Sequence, residues 1–249
     1  MVVSARYIQD NFTIAFPRDP EIRRKANEIE DHLGNNFTQP QVLGIPDEWD
    51  PQVPRLLFVS QHGFSRIVIS QISIVFSVNY STDFQEDKQK RGSYLTERVL
   101  PLFDLLPKLK GGQACYCGLA SRARIPCSEA CPDFSTRLAR VLLTELHMGA
   151  SHGLVVRGTT VIENRFFINT TVENYVMWKA ATPTEGPQRL RSDDVIERGI
   201  QITDDVNDRY AFNEYTDYFT SPDTAREILS QASDHLQSVA QRIQESLCL

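Results

Sequence analysis

Long apolar runs are missing from this chain. Among its 249 residues no stretch approaches the roughly 20 consecutive apolar residues that cross a bilayer, which excludes a membrane-spanning helix. The first residues, MVVSARYIQDNF, lack a basic region followed by an apolar run, so no signal peptide is expected. Both absences predict a cytoplasmic protein. In that setting the Asn-X-Ser/Thr triplets at Asn11, Asn36, Asn79 and Asn169 are ordinary polar strand and loop residues. Positive charge is also short, with 26 Lys and Arg against 32 Asp and Glu, a net charge of −6 and a pI near 5.4. Generic binding to a phosphate backbone needs a surplus of Lys and Arg on one face, so nucleic-acid binding is disfavoured.

Catalytic signatures are lacking as well. There is no phosphate-binding loop ending in Gly-Lys-Ser/Thr, no G-x-G-x-x-G, no G-x-S-x-G elbow and no H-E-x-x-H. The five histidines, at 32, 62, 147, 152 and 235, are scattered. His62 falls in a turn. His32 and His235 fall on helices between charged neighbours, where a lone histidine reads as solvated rather than as a base. The acidic run around Asp204, Asp205 and Asp208 invites a calcium reading. It fails, because Arg209 and Tyr210 stand where an EF-hand loop needs an oxygen donor and a glycine. A solvated strand end and turn is expected there. The basic runs Arg23-Arg24-Lys25 and Lys88-Gln89-Lys90-Arg91 are likewise expected on solvated helix faces.

What is present is an ordinary globular composition, 41% hydrophobic and 23% charged, rich in Phe and Tyr and able to bury a core. Four of the five cysteines crowd into one stretch, at Cys115, Cys117, Cys127 and Cys131. An odd count in a cytoplasmic chain argues against a disulfide framework. Structural zinc sites favour two residues between paired cysteines, because a tight turn then presents both thiolates to one ion. Here Cys115 and Cys117 are separated by Tyr116 alone, which in a strand points both thiols to one face. Pro126 and Pro132 break up the segment holding the other two. The spacing therefore predicts buried or half-buried inert thiols rather than a metal site. Arg122 and Arg124 nearby keep a reactive thiol as the third reading.

Periodicity organises the rest. Phe12, Ile14 and Phe16 alternate as in a strand. Asp19 and Pro20 open a helix carrying Ile22, Ala26, Ile29 and Leu33 on one stripe and closing at Gly34. Residues 35–54 read as a loop. A meander follows over 56–60, 66–70 and 72–80, with a turn at His62-Gly63. A helix is expected from Lys88 to Leu106, kinked at Pro101, before Gly111-Gly112 breaks the chain. A third helix is expected from Pro132 to His147. Long strands should run over 153–162 and 165–178 around Glu163-Asn164, then a turn-rich loop, ATPTEGPQ, then strands at 195–203 and 210–218. Ser221 caps a last helix whose stripe includes Ile228, Leu229, Leu236, Val239 and Ile243. The fold class is α+β, a mainly antiparallel curved sheet packed against long helices. One domain over 1–249 is expected, with a duplication into halves 1–127 and 128–249 open.

Several short motifs accompany this order: Phe58-Val59-Ser60-Gln61-His62-Gly63 in the meander, Gly118-Leu119 opening the mid-chain strand, and Asp205-Val206-Asn207 before the terminal helix. In them the chain resembles, over nearly its full length, a sporadically distributed family of uncharacterised prokaryotic proteins of similar size. The resemblance implies a prokaryotic source and a patchily inherited gene, defence-associated or mobile-element-associated. It brings no activity, cofactor or catalytic residue. Together these readings lead us to expect a non-catalytic interaction protein that binds a protein partner or itself, without catalytic, cofactor-binding or metal-binding residues and without a cofactor. The alternatives are a small-molecule-binding or enzymatic domain with a pocket between sheet and helix, and a nucleic-acid-binding accessory subunit.

Overall fold

The computed structural model describes residues 5–127, 134–143, 153–179 and 191–247. One open, curved, antiparallel sheet of nine strands holds the molecule together, confirming the α+β class. The strands are β1 (Arg6–Ala15), β2 (Gln41–Val42), β3 (Leu56–Val59), β4 (Ser65–Ile69), β5 (Ser73–Asn79), β6 (Tyr116–Pro126), β7 (Val155–Ile162), β8 (Phe166–Trp178) and β9 (Val195–Asn207). Their spatial order is β2-β3-β4-β5-β1-β6-β9-β8-β7. The helices are α1 (Ala26–Leu33), α2 (Thr82–Gln85), α3 (Lys88–Val99), α4 (Phe134–Leu142), α5 (Arg209–Glu214) and α6 (Pro222–Leu247).

The strand order contains a repeat. From one side it reads β3-β4-β5-β1, and from the other β7-β8-β9-β6. Each half runs strand, helix, three-stranded meander, short helix, long helix, so β1 answers to β6, α2 to α5 and α3 to α6. The backbone bond from Tyr80 N to Ile8 O closes β5 on β1 just as that from Asp208 N to Cys117 O closes β9 on β6. β1 and β6 pair at the seam, Ile14 opposite Cys117 and Phe12 opposite Leu119. The second run of this order opens with β6, after Gly111 and Gly112, which hold φ of 93° and 65°. β2 is an addition to the first half.

Most elements form for the local reasons the sequence supplies. Ile22, Ala26, Ile29 and Leu33 are all buried, although a 3-10 turn over Ile22–Lys25 precedes α1. Asp87 accepts from Lys90 N and starts α3. At Pro101 the helix tightens into 3-10 geometry over Leu100–Lys108, because the ring removes a donor and crowds the turn before it. Glu163 and Asn164, at φ 53° and 52°, take the positive-φ positions of the three-residue turn between β7 and β8. Ser221 Oγ accepts from Thr224 N and Pro222 opens α6. Gly118 lets β6 and β9 approach, since a Cβ there would stand 2.6 Å from the Cβ of Asn207.

Two stretches differ from expectation, the first being 35–54, read as a loop, which contributes β2. Residues 210–218 form α5 and an irregular stretch, not a strand. Tyr210 packs edge-on to Phe167 at 5.3 Å between centroids and Phe212 lies 5.6 Å from Tyr116, so these aromatics cover the end of the sheet. The expected helix over 132–147 is described only as α4. Its ends, Met148-Gly149 and the ATPTEGPQ loop lie outside the described residues.

Candidate functional site

Cys117 lies on β6, fully buried, with Sγ 3.2 Å from Thr220 Oγ1. Burial, together with the nearby Asp208 carboxylate, pushes its thiol well above the usual range. Burial also raises the thiol of half-buried Cys115. Cys115 and Cys117 are free thiols; Cys131 and Cys248 lie outside the described residues. Among the described residues, no group of three or more His, Cys, Asp or Glu side chains is placed to hold a metal.

Buried charge is the feature that sequence reasoning missed. Asp10 on β1, Ser121 on β6 and Asp204 on β9 stand side by side in register, all fully buried. Arg91 descends from α3 onto this row, with Nε 2.6 Å and Nη2 2.8 Å from the two Asp10 oxygens and Nη2 2.9 Å from Ser121 Oγ. The Tyr80 hydroxyl donates to Asp10 at 2.6 Å, and the Arg91 guanidinium lies 4.2 Å from the Tyr7 ring centroid. From α6, His235 Nδ1 meets Asp204 Oδ2 at 2.8 Å. Arg91, His235 and Asp204 were expected in solvent. They are instead drawn inward by partners far away in sequence, which run and neighbour patterns do not reveal. Asp208, expected on a solvated turn, is also fully buried and accepts from Cys117 N at 2.6 Å and Tyr218 OH at 2.7 Å. The other basic run is partly engaged too, Lys25 bonding buried Asp19 at 2.6 Å.

This row can hold the halves together, but it presents no reactive group. Its hydroxyl, Ser121, is closed to solvent and engaged by Arg91. Asp204 and His235 form an acid–imidazole pair, the histidine side chain 34% exposed, without a nucleophile in the row that a substrate could reach.

Two features do face outward. The first is β7, the outermost strand on the second-half side, whose residues are exposed except for half-buried Val156 and Ile162. Val155 is 66% exposed and Val161 41%. The other border of the sheet, beside the 56–80 meander, is covered. There β2 pairs with β3, Thr38 N donates to Val59 O and Leu43 N to Arg55 O. Arg55, fully buried, gathers the carbonyls of Pro46, Asp50 and Val53, folding the 43–54 loop over that edge. The second feature is a cavity of about 380 Å³ between the β3–β4 turn and α2–α3, lined by residues including Phe64, Tyr80, Phe84, Tyr94 and Arg98.

The sheet face away from α3 and α6 is polar. Arg124 Nε donates to Gln201, which donates to Glu173; Arg6 and Tyr175 both bond Glu197. Burial raises the Glu197 carboxyl, but Tyr175 and Arg6 outweigh it and hold it below the usual carboxylate range. Arginines there are interleaved with acids, so they form no basic stripe. No helix among the described residues is long and apolar enough to cross a membrane. Compared with protein-family models, with curated proteins and with solved structures, the chain matches none.

Proposed function

We propose that this protein is a non-catalytic interaction module that docks a protein strand on the edge of β7. The supporting observation is the edge itself. A strand at the border of a sheet presents unpaired N–H and C=O groups to any extended chain. β7 holds eight residues, VVRGTTVI, with one charge, no proline and exposed valines near both ends. Among the described residues, protective devices of natural edges, such as several lysines, a proline or a covering loop, are few on it.

A second copy of the chain fits this edge as well as a foreign strand. Antiparallel self-pairing about Gly158 keeps each sheet face continuous. It sets Val155 opposite Val161 and Arg157 opposite Thr159, so no two like charges face each other directly. A cytoplasmic location, expected from the sequence, and a defence-associated or mobile-element-associated role, implied by the family resemblance, belong to the same proposal. Nucleic-acid binding is the weaker reading, since the exposed sheet face mixes Arg6 and Arg124 with Glu173 and Glu197.

Sedimentation of the purified protein, with a pull-down from its native cells, tests the proposal. The wild type should self-associate or capture a protein. The double variant Val155→Lys, Val161→Lys should lose that association while melting like the wild type. A strictly monomeric wild type that captures nothing, or association untouched by the lysines, overturns it.

A further inference from the structure

The internal repeat provides a comparison within one molecule. In the second half, the turn between β7 and β8 is tied to its helices. Ala211 N donates to Arg165 O at 3.2 Å, Tyr215 OH donates to Asn164 O at 3.2 Å, and Arg165 pairs with Glu227 of α6 at 2.9 Å. In the first half, the equivalent turn, Gln61–Phe64, meets α3 only past its end, where Ser65 Oγ lies 2.9 Å from Tyr94 OH, and the cavity lies between the turn and the helices. α2 is a single turn where α5 is longer, and it leaves the space open. The fold therefore does not require this cavity.

Its walls specify a ligand. Phe84 stacks on Tyr80 at 6.0 Å and meets Tyr94 edge-on at 5.7 Å, which makes a packed aromatic wall that a flat apolar ring can lie against. Phe64, 55% exposed on the turn, stands over its mouth. Arg98 is half-buried at the rim beside the Tyr94 ring, and among the described residues it makes no salt bridge. The acid on the rim, Asp83, already has Lys90 3.8 Å away. A guanidinium partly removed from water without an anion lacks the partner that would offset its desolvation. The volume suits a small molecule, whose sites span about 300–1,000 Å³.

We infer that this cavity binds a small aromatic acid, its ring held by Phe64, Phe84 and Tyr94 and its carboxylate by Arg98. This site is separate from the β7 edge, so either can fail alone.

Calorimetry with indole-3-acetate, and with the corresponding neutral alcohol, tests the assignment. The acid should bind the wild type at least about tenfold more tightly than the alcohol, the usual worth of a charge-assisted hydrogen bond. Arg98→Gln should abolish that preference, and Phe64→Ser should weaken both ligands by about tenfold as ring contact is lost. Both positions are at least partly exposed, so both variants should keep the wild-type melting curve. Equal binding of acid and alcohol, no binding of either, or a preference that survives Arg98→Gln overturns the inference.

Discussion

Arg91 shows how one residue can belong to a charged run and yet serve the interior. It is 1% exposed and spends its guanidinium on Asp10 and Ser121, which come from opposite sides of the seam. Burial alone would lower its pKa, but the Asp10 carboxylate outweighs that and raises it. Removing one partner of such a pair strands a buried charge. Arg91→Met should therefore cost about 3–5 kcal/mol in urea unfolding. Adding Asp10→Leu to that variant should recover most of the loss, because both charges are then gone. Two carboxylates should give opposite pH signatures. Burial raises Asp19, but Lys25 and the amides of Lys110 and Glu21 outweigh it, holding its carboxyl below the usual carboxylate range. Its stabilisation is present above the unfolded value and fades as pH falls through the folded one. Asp19→Asn should accordingly lower stability near neutrality and converge with the wild type at about pH 2. Asp208 is raised by burial, only partly opposed by donors from Tyr218 and Cys117 N. Its contribution is complete below the unfolded value and is lost as pH rises through the folded one. Asp208→Asn should flatten the fall in stability as pH rises above the ordinary carboxylate range.

At the scale of elements, α6 is the clearest case of a signal that local chemistry writes into sequence. Ser221, Pro222 and the stripe of Ile228, Leu236 and Ile243 needed no knowledge of what lay beneath, and all three apolar residues are buried on β6 and β9. Each fully buried side chain contributes about 1.5–3 kcal/mol. Their joint loss is comparable with a usual net stability of about 5–15 kcal/mol. Truncation after Thr220 should thus leave protein without a cooperative melt by calorimetry. The hairpin at Glu163-Asn164 and the break at Pro101 were legible for the same reason, being set by φ preferences and a missing donor within a few residues. What was not legible depends on distance along the chain. Asp10 and Arg91 are 81 residues apart, and nothing near either one announces the other. α5 was read as a strand because Tyr210 and Phe212 alternate as strand residues do, while the partners that hold them, Phe167 and Tyr116, belong to other strands. The aromatic cavity was missed likewise, its walls being drawn from a turn, a strand end and two helices.

For the whole molecule, the repeat poses the question of what each half can do alone. Each has its own meander and long helix, the minimum for a two-layer unit. Against independence stands the seam. β1 and β6 pair from Arg6 to Ala15, one apolar cluster runs from Phe12 through Leu119 to Ile202, and α3 packs beside α6. The Arg91 bonds cross that seam to Ser121, so separation would expose a β1 edge beside a buried charge pair with one of its donors released. A half on its own would thus lose core, strand pairing and polar satisfaction together. Cleavage between Gly111 and Gly112, both exposed at positive φ, divides the chain without cutting an element. Residues 1–111 and 112–249 produced separately should be insoluble or fail to melt cooperatively. Co-expressed, they should copurify one to one and melt in a single transition, because the β1–β6 pairing re-forms the sheet. A cooperative calorimetric transition in residues 1–111 alone would show that the seam joins two self-sufficient domains, with the buried row added to fix their register.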